Sequence, residues 1–323
     1  MIAPKEHFHG SDLEKIEKVY GIKKEEITSF SANVNPLGIS PRLRATLSER
    51  IDAITGYPDR EYTSLRRSIA TYCGADMENI LVGNGSTELI SLFIQFISPK
   101  KSLILAPTYS EYEREIGLTG GEFTYFFLEE SNEFKLDIDK LVGQLNPDLG
   151  LLVMCNPNNP TSSAINKREM NRILETCKKF NIFCLVDETY AEFTQDIEEV
   201  TAIPLIKEYN NLIILRGISK FFAAPGLRLG YAICSNLEIL KTINERKNPW
   251  SINTLAAIAG EIMFTDTNYI QATKDLIDSE RNRIFNTLSN NKNIKLYPPV
   301  ANFILIKILK PDITASQVFD AAI

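Results

Sequence analysis

Between Ile80 and Cys234 the chain alternates short apolar runs with segments of helical period. The runs are ILVG (80–83), SLILA (102–106), FTYFFL (123–128), LGLLVMC (149–155), IFCLV (182–186), LIILR (212–216) and LGYAIC (229–234). Several are apolar at successive positions, which suits strands covered on both faces. The spacing predicts helices over Thr87–Ile97, Asp137–Leu145 and Asn166–Asn181. Such alternation predicts an α/β fold, a mostly parallel seven-stranded sheet flanked by helices with right-handed crossovers. After Cys234 the pattern changes. Helical periodicity runs from Leu237 to Leu288 with one break near Asn248-Pro249-Trp250. KLYP and ANFILIKIL then read as strands and Ala315–Ile323 as a helix. This is the pattern of a second, smaller α+β domain. No internal repeat or low-complexity segment is visible.

Composition removes several classes of function. The net charge of −6 gives no electrostatic case for nucleic acid or an anionic membrane. No apolar run approaches the ~20 residues of a membrane span; the candidate from Leu89 to Ile97 is broken by Ser91 and Gln95. The opening residues, MIAPKEHFHG, lack the apolar core of a secretory signal. Five scattered cysteines without metal spacing read as reduced thiols in a cytoplasmic protein. His7 and His9 are the only histidines, which argues against a multi-histidine metal site.

In open α/β sheets ligands bind beyond the carboxyl ends of the strands, so the polar residues after each run matter most. ILV is followed by GNGSTELI (83–90). Its glycines and hydroxyls open a helix, either as an anion pocket of free N–H groups or as an ordinary N-cap by Ser86 or Thr87. Glu88 occupies the last glycine position of a dinucleotide fingerprint, which speaks against a nicotinamide enzyme. SLILA is followed by PTYSEY (107–112), where Tyr109 either stacks on a planar ligand or packs half-buried. LGLLVMC leads into NPNNPT (156–161), whose Asn159 either presents an amide or belongs to a rigid crossover turn. IFCLV leads into DETY (187–190). Asp187 there either meets a cation or caps the next segment. LIILR leads into GISKFFAAPGLRLGY, where Ser219, Lys220 and Arg228 sit among apolar and small residues. Two long cations without a nearby carboxylate are either solvated in a surface loop or partnered by something outside the segment.

One ligand would use a phosphate cradle, a ring-stacking tyrosine, an amide, a buried carboxylate and a reactive lysine together. That ligand is pyridoxal 5′-phosphate: its ring nitrogen needs an anion and its aldehyde a lysine. Arg228 would meet the phosphate bidentately. Asp187 would accept the ring N–H, a charge-assisted bond worth roughly 1.5–3 kcal/mol.

GNGSTE, NPNNPT, DETY and SK…GLRLGY, in that order, resemble the fold-type I pyridoxal-phosphate enzymes of the aspartate aminotransferase superfamily, across about His9 to Ile308. The resemblance implies Lys220 as the cofactor-binding lysine, Asp187 on the pyridine nitrogen, and Tyr190 and Asn159 on the ring hydroxyl. It implies Tyr109 against the ring, and Gly85, Ser86, Thr87, Ser219 and Arg228 around the phosphate. GYPD (56–59) resembles the segment whose tyrosine, here Tyr57, reaches the phosphate of a second subunit, which implies a homodimer with shared sites; Tyr57 otherwise reads as a Tyr-Pro turn. The domains expected are an N-terminal arm with the start of the small domain (1–40), a large cofactor domain (41–235), and an interdomain helix with the C-terminal small domain (236–323).

Two groups of the superfamily compete. CNPNNPT, YPD and ANFIL are similar to histidinol-phosphate aminotransferases and to the threonine-phosphate decarboxylases of cobalamin synthesis. His9-Gly10, FSANVNPLG (30–38) and AAPGLRLGY look more like the decarboxylases. That resemblance implies phosphorylated-substrate contacts from His9, Gly10, Asn33 and Asn159, with O-phosphothreonine decarboxylated to an aminopropanol phosphate. His9 otherwise reads as an arm residue with no role. Transamination of the histidinol-phosphate type, and a cofactor-binding module without catalysis, are the alternatives. The sequence departs from the superfamily twice. Gly217 stands where a Ser or Thr is usual, and no carboxylate-clamping arginine motif appears before Ile323, so the C-terminal domain is expected to be incomplete or another residue to take that role.

Overall fold

The computed structural model describes residues 13–323. In chain order come α1 (Leu13–Tyr20), α2 (Pro41–Glu49), α3 (Thr63–Cys73), β1 (Ile80–Gly83), α4 (Gly85–Ile97), β2 (Lys101–Ala106), α5 (Glu111–Leu118), β3 (Glu122–Phe127), α6 (Ile138–Gln144) and β4 (Leu151–Cys155). Then follow α7 (Lys167–Phe180), β5 (Phe183–Asp187), α8 (Ile197–Val200), β6 (Leu212–Gly217), β7 (Gly230–Ile233), α9 (Leu237–Arg246), α10 (Thr254–Met263), α11 (Thr267–Ser289), β8 (Ile294–Leu296), β9 (Ile306–Ile308) and α12 (Ala315–Ala322).

Strands β1 to β7 form one sheet in the order β1-β7-β6-β5-β4-β2-β3. Pairs β2/β3, β2/β4, β4/β5 and β5/β6 are parallel. Strand β7 is antiparallel to both neighbours, so the sheet is mostly parallel with one reversed strand. The β8/β9 hairpin is separate and antiparallel.

The strict two-residue alternation of a strand divides the sheet into two faces. Leu151, Val153, Leu185, Ile213, Leu215 and Ala232 pack against α4, α5 and α9. Leu152, Met154, Cys184, Val186, Ile214 and Tyr231 pack on the opposite face, against α3, α6 and α7. Parity then places the polar residues at the strand ends. Asp187 and Gly217 fall on the α4/α5 face. Glu188 and Arg216 fall on the other face, where they form a buried ion pair at 2.8 Å.

Local chemistry sets the element ends. Asn166 caps α7 in a reciprocal capping box with Glu169, and Asn181 closes it in the left-handed region. Helix α4 starts at Gly85, two residues before the position the spacing predicts, so Ser86 and Thr87 lie in its first turn and do not cap it. The helical stretch after β7 breaks twice, with Asn253 capping α10 and Asp266 capping α11. In ANFILIKIL only Ile306–Ile308 is strand. Residues Val300 and Ala301 instead donate their amides to Ser162. Among the described residues no helix is long and apolar enough to cross a membrane.

Candidate active site

The site is built on the loops after β1, β2, β4, β5 and β6. At its base, Gly83, Gly230 and Gly217 lie side by side across β1, β7 and β6. The row has no side chains, so the first turn of α4 seats directly on the sheet. A Cβ on Gly230 would collide with the Ser86 amide nitrogen. A Cβ on Gly217 would meet only ordinary contacts, Leu229 O at 3.6 Å and Ser86 Oγ at 3.8 Å.

Arg228 closes this corner. Its Cζ would lie 3.0 Å from a Cβ on Gly85, whose φ of +80° also favours glycine. The guanidinium therefore stands against the first turn of α4, where unpaired N–H groups and the helix dipole favour an anion. Ser86, Thr87 and Ser219 are half-buried around it.

Lys220 Nζ donates to the Ala32 carbonyl at 2.7 Å. Burial, and then the charge of Arg228, hold its pKa below the usual lysine value. That favours the neutral amine, the nucleophilic form. Among the described residues no carboxylate pairs with Lys220 or Arg228.

Asp187, at the end of β5, is buried. Oδ1 accepts from the Thr189 amide (2.9 Å) and hydroxyl (2.5 Å), and Oδ2 from the Tyr112 hydroxyl (2.8 Å). Burial raises its pKa, while the Thr189 and Tyr112 hydrogen bonds act in the opposite direction. Tyr109 stands edge-on to Tyr112, with ring centroids 5.7 Å apart, and its hydroxyl faces Thr87. The Tyr190 hydroxyl faces Asn33, and burial pushes its pKa above the ordinary value.

The three asparagines of NPNNPT divide their roles. Asn156 is tied to Ile165 and Val200, and Asn158 to Pro107 and Thr161. Asn159 is half-buried, with its backbone N–H facing the Cys155 thiol. The structure thus brings together Gly85, Ser86, Arg228 and Lys220, and likewise Thr87, Tyr109 and Asp187, with Tyr190 beside Asn33. Tyr57 lies apart. It is 83% exposed, and its ring packs 4.9 Å from Trp250. His9 and Gly10 lie outside the described residues.

Sequence reasoning missed four contributors. Tyr112 and Thr189 hold Asp187. Asn35 bonds Phe221 O, Tyr269 Oη and Thr273 Oγ1 with its buried amide. Asn302 donates to the Asn33 carbonyl. Tyr109 lies in the loop before α5 and Tyr112 in its first turn, so their edge-on contact has no helical-spacing signal in the sequence.

These features fit the expected cofactor on structural grounds. The site holds a buried carboxylate with no cation and two cations with no carboxylate. It also has a glycine-lined helix N-terminus and unpartnered buried polar atoms at Thr108 Oγ1 and Asn158 Oδ1 next to Tyr109 and Asn159. Among the described residues no cluster of three His, Cys, Asp or Glu is placed to hold a metal ion.

Residues 25–323 match the family model for aminotransferase class I and II. The chain belongs to the aminotransferase class I and II family. Within that family it is 33% identical to the threonine-phosphate decarboxylase of Salmonella typhimurium over 305 residues, covering 94% of this chain and 83% of that one. It is also 33% identical to the histidinol-phosphate aminotransferase of Ruminiclostridium cellulolyticum, over 86% of this chain and 78% of that one. Among solved structures, the histidinol-phosphate aminotransferase of Clostridium acetobutylicum superposes with a TM-score of 0.83 at 34% identity. That match covers 90% of this chain and 85% of that one. The solved Clostridium acetobutylicum structure therefore shares the fold on which the site is built.

Proposed function

We propose that this chain is a pyridoxal-phosphate enzyme that decarboxylates O-phosphothreonine to an aminopropanol phosphate. The observation that carries the cofactor is the separation of unpaired charge on one face of the sheet. Asp187 has no cation, and Lys220 and Arg228 have no anion. A ring with a basic nitrogen at one end and a phosphate at the other completes both.

Lys220 would hold the aldehyde covalently, and Asp187 would accept the ring N–H. Arg228, Gly85, Ser86, Thr87 and Ser219 would bind the phosphate. Tyr109 would stack on the ring, and Asn159 and Tyr190 would bond its hydroxyl. The bound cofactor supplies an electron sink for the pair left at the substrate Cα. In decarboxylation the Cα–carboxylate bond breaks, CO₂ leaves, and Lys220 returns a proton to Cα. Asn33, beside Tyr190, and Asn159 would orient the substrate, with His9 and Gly10 contributing from the N-terminal arm. The exposed pair of Tyr57 and Trp250 would serve a second copy of the chain, Tyr57 reaching that copy's cofactor phosphate in a homodimer.

The decarboxylase reading is supported by the 94% coverage of the Salmonella relative and by the FSANVNPLG phrase. Protein loaded with cofactor is given O-phosphothreonine and CO₂ is measured. Release of one CO₂ per aminopropanol phosphate formed supports it. Formation of glutamate from histidinol phosphate and 2-oxoglutarate, without CO₂ release, assigns the chain to the aminotransferases.

A further inference from the structure

The Asp187 carboxylate is held by three neutral donors from two directions. Thr189 takes Oδ1 with its amide and hydroxyl, from the same loop. Tyr112 reaches Oδ2 from α5, 75 residues away in sequence, and its side chain is fully buried. Tyr112 itself can only donate here. Burial and the neighbouring Asp187 push its pKa well above the usual tyrosine range, so the phenol keeps its proton. The other titratable groups facing Asp187 are Tyr109 from the loop after β2, Cys155 from β4 and Tyr190 from the loop after β5. All are neutral at ordinary pH, because burial raises each of them.

A buried carboxylate in such surroundings stays charged only through donated hydrogen bonds. Its direction also matters. With Oδ1 fixed by the local turn, the carboxylate plane is set by whatever holds Oδ2. Tyr112 does this from the first turn of α5, just after the loop that carries Tyr109, whose ring lies edge-on at 84°. One short stretch of chain therefore fixes both a stacking ring and the angle of the carboxylate.

We propose that Tyr112, acting with Thr189, is a positioning residue that sets the orientation and the anionic strength of Asp187 toward the cofactor's ring nitrogen. This rests on the cofactor assignment above.

The test compares Tyr112→Phe with wild type, both as the full chain, by titrating pyridoxal phosphate at a series of pH values from about 5 to about 8. Wild type takes up the cofactor, with affinity falling on acidification as Asp187 gains its proton. Tyr112→Phe binds about tenfold more weakly at neutral pH, and its acid fall-off moves up by roughly one pH unit. In an Asp187→Asn background the same substitution has no further effect, because Tyr112 acts through that carboxylate. If wild type binds no cofactor, the cofactor assignment itself fails. If wild type binds and Tyr112→Phe matches its affinity and pH profile, the proposal is overturned. A tenfold loss that persists beside Asp187→Asn also overturns it, in favour of a packing role. Should Tyr112→Phe lose its far-ultraviolet signature, Thr189→Val reads the same claim. Its acid fall-off moves up as well, and an unmoved profile overturns the proposal.

Discussion

Lys220 and Ala32 are joined by a 2.7 Å hydrogen bond from the lysine Nζ to the alanine carbonyl, and three positions on the Asn35 amide N–H returns a bond of 3.0 Å to the Lys220 carbonyl. The segment around SANVNPLG is thus a strap across the lysine loop. It gives the amine a neutral acceptor in place of a counter-ion. Burial, and then the charge of Arg228, leave the lysine easier to deprotonate than a solvated one.

Removing the amine tests its role directly. Borohydride treatment of cofactor-loaded wild type is expected to fix one cofactor onto Lys220, seen by peptide mass. Lys220→Ala takes no such label and loses roughly 10²- to 10⁴-fold in turnover. Labelling at another lysine would refute the assignment.

Asn35→Ala tests the strap. The substitution leaves the Phe221 carbonyl and the Tyr269 and Thr273 hydroxyls without their shared donor in a buried pocket. Stability is expected to drop by about 2–4 kcal/mol, read as a lower denaturant midpoint with an unchanged slope.

The glycine row offers a contrast between two substitutions. Gly217→Ser fits, with its Cβ at 3.6 Å or more from its neighbours, and adds a hydroxyl beside Ser86. Cofactor affinity by equilibrium dialysis is expected to rise roughly three- to tenfold. Gly230→Ala drives its Cβ into the Ser86 amide and the Gly85 backbone. It is expected to lower the unfolding temperature and the affinity together. Equal behaviour of the two variants would show that the row does not position α4.

Glu192 gives a stability prediction with a definite sign. Its carboxyl is buried without a hydrogen-bond partner, and burial raises its pKa from 4.5 to about 7 despite Arg216 nearby. Between those values the folded chain binds more protons than the unfolded one, so this group's contribution falls as pH rises. The loss is complete above about pH 7 and is worth roughly 3 kcal/mol. Glu192→Gln is therefore expected to match wild type near pH 4.5 and to melt at a higher temperature above pH 7. A constant difference between the two would refute the assignment.

The parts of this fold that are local or periodic are legible in the sequence. Seven apolar runs become seven strands; for six of them burial on both faces leaves a continuous signal, while the edge strand β3 is read from its aromatic composition despite its exposure. Asp187 is visible because a carboxylate ending an apolar run has few structural excuses. Tyr112 is not, since a tyrosine inside a helix reads as core until the strand beside it is placed. Asn35 is hidden for a different reason. Its partners lie 186 to 238 positions away, and no local pattern carries that information. The start of α4 lies two residues before its sequence signal, because the row of glycines, assembled from three separate strands, lets the helix begin earlier than its own residues suggest. ANFIL has a β-like composition yet forms no strand, because the amides of Val300 and Ala301 are taken by Ser162.

The strap also has a consequence for synthesis. Residues 32 to 35 leave the ribosome well before their anchors, Lys220, Phe221, Tyr269, Thr273 and Asn302. A growing chain, which folds from its N-terminal side, must leave this segment waiting until Asn302 has been translated. The strap is made before the lysine it covers and locked after it, so the lysine acquires its native surroundings only once the segment around Asn302 is in place.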